Sequence, residues 1–301
     1  METTGLSKKS VTLTMDSRAP QVTVLMPCRN ANRAFFKAAV NSVLCQTMPL
    51  WKLIVIADGG DIHEARETLK TLRYSNEVNI SFVKNDAHFI TSKLNSGMRH
   101  ADTPYVCSLH CDDLLDREAL EVINRYIQEH PHVDFFHTSR LYIDERGYPL
   151  STVYKACDSF NLADFKNYGP VKHLHCWKVE SALAIGGMDE SLGPHGADDY
   201  DFPWCMAEAG CSFKAVAECL YYKRDHREHY RLTTHIPMET QLEELRKIWR
   251  KHGMTEKEIV YQTNVRKDSY LRQALYVDEE DKKRKDREGY DIRQGWRLNY
   301  R

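Results

Sequence analysis

Four continuous apolar runs, spaced along the first hundred residues with amphipathic segments between them, constrain this chain more than any other feature. They read VTVLMP at 22–27, LIVIAD at 53–58, VNISFV at 78–83 and YVCSL at 105–109. Helical patterns near 33–45, 63–73 and 91–100 separate them. A run that is apolar throughout, not at alternate positions, is a strand covered on both faces. Strands joined by helices lie parallel with right-handed crossovers. The expected fold class is therefore α/β, a Rossmann-like mixed sheet flanked by helices. Such sheets take ligands at the carboxyl ends of their strands, which makes the residues after each run the ones to inspect. They are Pro27-Cys28-Arg29-Asn30, Asp58-Gly59-Gly60 and His110-Cys111-Asp112-Asp113, all polar. Three polar strand ends are expected to face one crevice.

Beyond residue 115 the pattern is less regular. It predicts a helix at 116–129, strands at 133–139, near 173–178 and at 213–222, a hairpin turn at Asp144-Glu145-Arg146-Gly147, and a helix at about 198–209. From 238 the polar sequence METQLEELRKIWRKHG predicts a helix closing at Gly253. The expected organisation is a flexible leader at 1–20, one domain at 21–235 with a nucleotide-binding half (21–115) and an acceptor-binding half (116–235), and a helical C-terminal extension at 236–301. The extension is a candidate homodimer surface. Within it, the acids at 278–281 stand four residues before the bases at 282–285, a spacing that supports a solvated helix. The alternative is docking of the basic block on an anionic membrane.

Charge narrows the partners. Lys and Arg total 42 against 43 Asp and Glu in 301 residues, so nucleic acid is not the expected partner. No stretch approaches the roughly 20 apolar residues that span a bilayer, and residues 1–17 lack a secretory apolar segment. The expectation is a cytoplasmic protein, with peripheral attachment at the inner face of the membrane as the variant. Nine cysteines without paired spacing fit reduced thiols, mostly as small core residues, better than a disulfide framework or a zinc site.

Asp112 and Asp113 place two carboxylates at a strand end with no adjacent base, where Mg²⁺ or Mn²⁺ is the natural partner; the alternative is that Asp113 or Asp116 caps the next helix. Asp58 can accept from a base N–H or a ribose hydroxyl, or can simply make an Asp-Gly turn. Arg29 can pair with phosphate, and Asn30 can cap the helix after it. Asp198, Asp199 and Asp201 open a helical pattern, as a general base facing an acceptor hydroxyl or as compensation of the helix dipole. His173, His175, Trp177, Tyr200 and Trp204 are candidates for a sugar-binding cleft, Trp204 foremost because it follows the base candidate closely; for any one of them a core position is the commoner role.

In order, PCRN, ADGG, KLNSGMRHADTPYVCSLHCDD, GGMDESLGPHGADDYDF and YYKRDH resemble the motifs of family 2 glycosyltransferases with the GT-A fold, over about residues 21–230. The resemblance implies a metal-dependent, inverting transfer of sugar from a nucleoside-diphosphate sugar, a UDP-sugar foremost, to a saccharide, lipid-linked or small-molecule acceptor. It implies that Asp58 contacts the nucleotide base in a pocket lined by Pro27 to Arg29, with Asn30 beside it. Lys93 stands near the place of the family's Arg before the matched Asn95. Asp112 and Asp113 resemble the metal- and donor-binding pair, Asp199 the catalytic base, Asp198 its acidic neighbour at the donor, and His226 the histidine that completes the metal shell. Three positions depart from the pattern: His110 replaces the first acid of D-x-DD, Ala57 the first acid of DDG, and Asp198 a Glu. Two other readings compete, a nucleotidyltransferase of the same fold and a non-catalytic nucleotide-sugar or glycan-binding relative. PCRNANR lacks the glycines of a nucleotidyltransferase phosphate loop.

Overall fold

The computed structural model describes residues 20–72, 79–157, 159–193, 195–225 and 237–276, with side chains through 267. The expected leader up to residue 19, the charge run at 278–285 and His226 lie outside the described residues.

Eight strands form one mixed sheet: β1 (Val22–Pro27), β2 (Trp51–Ala57), β3 (Ile80–Lys84), β4 (Tyr105–Ser108), β5 (Leu114–Leu115), β6 (Phe135–Ile143), β7 (His175–Lys178) and β8 (Phe213–Arg224), in the order β3-β2-β1-β4-β7-β6-β8-β5. β1, β2, β3 and β4 pair in parallel, β7 is antiparallel to both β4 and β6, and β6 runs parallel to β8. The expected fold class is what the structure has.

Strand side chains alternate between two cores. Val22, Val24 and Met26 face α1 (Arg33–Leu44), α2 (Gly59–Thr71) and α4 (Ala119–Glu129), whereas Leu25, Ile54 and Val106 face α3 (Ile90–His100), α5 (Val179–Ala184) and α6 (Phe202–Glu208). Burial on both faces is why these strands read as continuous apolar runs. Gly97 lets α3 sit close on the sheet: a Cβ there would lie 3.0 Å from both Ile56 and Leu25.

Local chemistry shifts several expected boundaries. Asn30 does not cap α1; its φ is +47°, and Asn32 takes that role, accepting from the N–H groups of Ala34 and Phe35. Asp58 caps α2 through the Asp61 N–H, so Gly59 and Gly60 form the first helical turn and not a loop. The turn after β6 closes as expected, with the Gly147 N–H on the Asp144 carbonyl and the Asp144 N–H on the Tyr148 carbonyl. All nine cysteines are free thiols, but only Cys28, Cys107 and Cys176 are buried, so most are not core residues. No helix among the described residues is long and apolar enough to cross a membrane.

A third core joins the C-terminal helices α7 (Met238–Lys251) and α8 (Glu256–Tyr276) to the main body. Leu245, Ile248, Trp249, Met254 and Ile259 pack against Phe165, Tyr200 and Trp204. Polar contacts fix the register there. His252 stacks on Trp204 with ring centroids 4.0 Å apart, and its Nε2 lies 3.0 Å from Asp201, which also takes Lys251 at 2.8 Å. Trp204 is thus a core residue, 1% exposed, and not a cleft wall. The same holds for Trp177, whose indole N–H meets the Met98 sulfur, and for Tyr200, whose hydroxyl donates to the Phe165 carbonyl and accepts from Trp249.

A buried clamp ties α3 to the loop after α5. Asn95 donates to the Met188 carbonyl and to Glu190, both at 2.8 Å, and accepts from the Met188 N–H at 2.8 Å. Gly187 beside it has φ +80°, and a Cβ there would come within 2.6 Å of the Asn95 side-chain oxygen. Asn95→Ala orphans a buried N–H and carbonyl, and chemical denaturation should show a loss of about 2–3 kcal/mol. Gly187→Ala should destabilise the same unit through strain and clash.

Burial alone would depress the His252 imidazole, but the bond to Asp201 and the charge of Glu208 raise it to about 9. A folded-state value above the unfolded 6.5 means that the His252 pairs stabilise fully below 6.5 and are lost as pH rises through about 9. Between pH 6 and pH 10, wild type should lose on the order of 3 kcal/mol more stability than His252→Gln in parallel urea titrations.

Candidate active site

The chain reverses its winding between β1 and β4. From β1 it runs outward through β2 to β3, then crosses back to place β4 on the other side of β1. Ligands of open α/β sheets sit in the crevice at such a switch point, and the residues there are Cys28–Asn30 and His110–Asp113. β2 adds Asp58 at the same edge.

On the β1–β2 side, the Asn30 N–H donates to Asp61 at 2.9 Å and Arg29 donates to the His88 carbonyl. Pro27 closes β1, buried beside Ile56. The Asp61 N–H, followed by other nearby donors and the charges of Lys93 and Arg29, holds the Asp58 carboxyl below its usual range. Lys93 is buried, with its ammonium on the Asn85 carbonyl at 2.6 Å; burial lowers it while Asp58 and Asp61 pull it back up. Asp58, Arg29 and Lys93 therefore act on one another at one end of the crevice.

On the β4 side, Asp113 is 2% exposed and both its oxygens are held: the Tyr221 hydroxyl donates to Oδ2 and the Arg224 N–H to Oδ1, each at 2.6 Å. Tyr221 in turn accepts from the His110 N–H at 3.4 Å. The Arg224 guanidinium donates to the carbonyls of Asp112, Asp144 and Glu145. Burial, then the adjacent Asp112, pushes the Asp113 carboxyl up, opposed by His110, Lys223 and Tyr221. Asp113 and Asp116 do not cap α4, which has no side-chain cap.

The second acidic pair comes from a turn of π-helix, Ala197–Asp201, just ahead of α6. His110 joins the two pairs. Its Nε2 lies 3.4 Å from Asp198 and its Nδ1 4.0 Å from Asp113. Burial would depress this imidazole, yet Asp198, then Asp113 and Asp112, raise it to about 9. The residue that replaces the expected acid is thus an internal cation between carboxylates. Asp199 is governed oppositely: burial would raise it, but nearby positive charge, that of Lys223 first and of Arg140 further down, holds it below the ordinary carboxylate range. A carboxylate kept ionised beside a crevice can accept a proton from a bound hydroxyl.

His173 and His175 stack with centroids 4.2 Å apart, His175 opening β7 and His173 standing in the bend just before it, outside the strand. Burial holds His173 well below its usual value and His175 down to about 3, so both are neutral core rings and do not frame an open cleft. One metal-compatible group is His110, Asp112 and Asp113, whose ligand atoms lie within 4.8 Å of one another. The two carboxylates fit a divalent cation such as Mn²⁺, and His110 would join them as a ligand only on losing its ring proton. The sequence singled out neither Tyr221 nor Lys223 nor Arg140. Their roles rest on β6 and β8 lying in one sheet with β4, two and three strands away, which no local pattern encodes, although YYKRDH marked the neighbourhood of the first two.

The sequence model described as Glycosyl transferase family 2 matches residues 23–173. Among relatives, an uncharacterized protein y4gI of Sinorhizobium fredii is 27% identical over 60% of this chain and 20% of its own. The O-antigen biosynthesis protein RfbC of Myxococcus xanthus is 23% identical over 69% of this chain and 16% of its own. The chain therefore spans a fifth or less of either protein. A crystal structure of S. aureus TarS (1–349) in complex with UDP-GlcNAc superposes with a TM-score of 0.61 at 19% identity, over 87% of this chain and 77% of that one.

Tyr221→Phe removes the hydroxyl donor to buried Asp113 while keeping the ring. It should destabilise the fold by about 1.5–3 kcal/mol at neutral pH, the range for a hydrogen bond to a charged group, read by chemical denaturation. A loss below about 0.5 kcal/mol would mean that Asp113 does not depend on this bond.

Proposed function

Because this chain belongs to glycosyl transferase family 2 and has its GT-A fold, we propose that it moves a sugar from a nucleoside-diphosphate sugar to an acceptor hydroxyl with inversion at the anomeric carbon. The observation that carries the reading is the facing of two acidic pairs across the switch-point crevice, Asp112-Asp113 on one side and Asp198-Asp199 on the other, linked by His110. The uridine nucleotide in the TarS complex supports a UDP-sugar as the donor, and the O-antigen relative supports a role in surface polysaccharide or glycoconjugate synthesis.

In this reading Asp58, Arg29 and Asn30, with Pro27 and Lys93 behind them, hold the nucleotide end of the donor. Asp112 and Asp113 hold the diphosphate end together with a divalent cation, His226 being the further ligand that the family pattern implies. When bound, that cation supplies positive charge for the diphosphate. Asp198 stays at the donor side through His110. Asp199 takes the proton of the acceptor hydroxyl as its oxygen bonds to the anomeric carbon and the bond to the diphosphate oxygen breaks. Attack on the face opposite the leaving group gives inversion. Lys223, whose charge reaches both Asp113 and Asp199, offsets negative charge between the two pairs.

A thermal-shift panel of UDP, GDP, CDP and ADP, each with and without Mn²⁺, tests the donor and the cation together. UDP with Mn²⁺ should stabilise by about 2–3 kcal/mol at a hundredfold excess over its dissociation constant, and Asp112→Asn should abolish the Mn²⁺-dependent part. Asp199→Asn should retain nucleotide binding and lose roughly 10²–10⁴-fold in turnover of the nucleotide-sugar. Stabilisation by none of the four nucleotides would refute the donor reading, and full turnover by Asp199→Asn would refute the base.

A further inference from the structure

A second cluster of metal-ligating side chains lies where the end of α7 meets α6. Asp201 closes the turn of π-helix and Cys205 follows it by four residues in α6, so the two share one helix face. His252 stands just past the end of α7. Its Nε2 lies 3.0 Å from Oδ1 of Asp201, and the Cys205 Sγ lies 3.8 Å from Oδ2 of the same carboxylate. One ligand atom from each of the three residues falls within 4.8 Å of the other two. Asp201 is fully buried and His252 is 9% exposed, while Cys205 keeps partial access to solvent.

These separations suit a small tetrahedral ion. Bonds of about 2.0–2.3 Å to nitrogen, oxygen and sulfur put tetrahedral ligand atoms roughly 3.3–3.6 Å apart. The observed 3.0 and 3.8 Å fall on either side of that range. The imidazole is already turned for the role. Oε2 of Glu208 stands 2.9 Å from its Nδ1, which leaves the opposite nitrogen facing Asp201 and Cys205. A carboxylate behind the ring is the usual companion of a metal-bound histidine. The stack on Trp204, with planes 4° apart, fixes the plane of the ring. Lys251 leaves room for an ion because it is shared: its ammonium meets Oδ2 of Asp201 at 2.8 Å and Asp189 at 2.9 Å, and Oδ1 of Asp201 faces the histidine.

We propose that Asp201, Cys205 and His252 form a zinc site that fastens the C-terminal helices to the main body. A thiolate and an imidazole select Zn²⁺ over Mg²⁺ and Mn²⁺, which favour oxygen ligands. The site is therefore distinct in chemistry from Asp112 and Asp113, and it stands whether or not the donor reading does. In the metal-free protein the ring proton of His252 faces Asp201. Binding exchanges Zn²⁺ for that Nε2 proton and for the thiol proton of Cys205: bonds form to oxygen, nitrogen and sulfur, two protons pass to solvent, and the cluster keeps its net charge. A water molecule takes the fourth position.

The test is titration of the full chain, freed of metal by a chelator, with Co²⁺ as an optical stand-in for Zn²⁺. Co²⁺ should give a near-ultraviolet thiolate-to-cobalt charge-transfer band that Zn²⁺ abolishes and excess Mg²⁺ leaves in place. Cys205→Ser should lose the band. Glu208→Gln should keep it while weakening Co²⁺ binding about 10–100-fold, which a merely structural Glu208 would not do. Asp112→Asn should keep both band and affinity, which separates this site from the crevice. Zn²⁺ at about a hundredfold excess over its dissociation constant should raise the melting temperature of wild type by a few degrees and leave that of Cys205→Ser unchanged. His252→Gln should also lose the band, with Cys205→Ser carrying the test if the histidine variant fails to fold. No band in wild type, a band kept in full by Cys205→Ser, or a wild-type melting temperature that Zn²⁺ does not move overturns the site.

Discussion

The buried carboxylate of Asp113 is the constraint on which the crevice depends. A charge so enclosed survives only with donors on its oxygens, and here the Tyr221 hydroxyl and the Arg224 N–H supply them from β8. β4 and β8 are not neighbours; β7 and β6 stand between them. The carboxylate therefore binds the end of the parallel half of the sheet to a strand of the mixed half. Arg224 extends the tie to the Asp144–Glu145 turn, so the floor beneath Asp112 is held from three segments. The Asp112 carbonyl accepts from the same guanidinium, which ties its backbone to that frame.

Around that floor the charges are arranged by burial as much as by sequence. His110, enclosed among Asp198, Asp113 and Asp112, is driven toward its cationic form, while His173 and His175 a few ångströms away are driven toward neutrality because no carboxylate overrides their desolvation. Residues of one type thus take opposite states within one site. The replacement of the family's first acid by His110 exchanges a negative charge for a positive one without emptying the position.

Much of this architecture was legible in the residues. The four apolar runs named the parallel strands, because burial on both faces leaves no polar position to disguise them. The order of five short motifs named the family, and Asp58, Asp112 and Asp113 do follow strands while Asp198 and Asp199 lie in the turn of π-helix ahead of α6. Trp204 was legible only as an aromatic near an acid. A helical period locates its face but not what covers it, and α7 covers it through Trp249 and His252. The cap of α1 falls on Asn32 and not Asn30 because Asn30 turns into the left-handed region and gives its N–H to Asp61, a contact 31 residues away.

What the sequence by itself determined is the class of sheet, the polar strand ends and the family whose chemistry they fit. These follow from local patterns of two, four or a few residues, which act on their own backbone whatever the rest of the chain does. The tertiary structure alone decided the pairing of Asp113 with Tyr221, the state of His110 and the clamp of Asn95 on Met188. Each of these joins residues far apart in the chain, and each depends on burial, which only the packed chain creates.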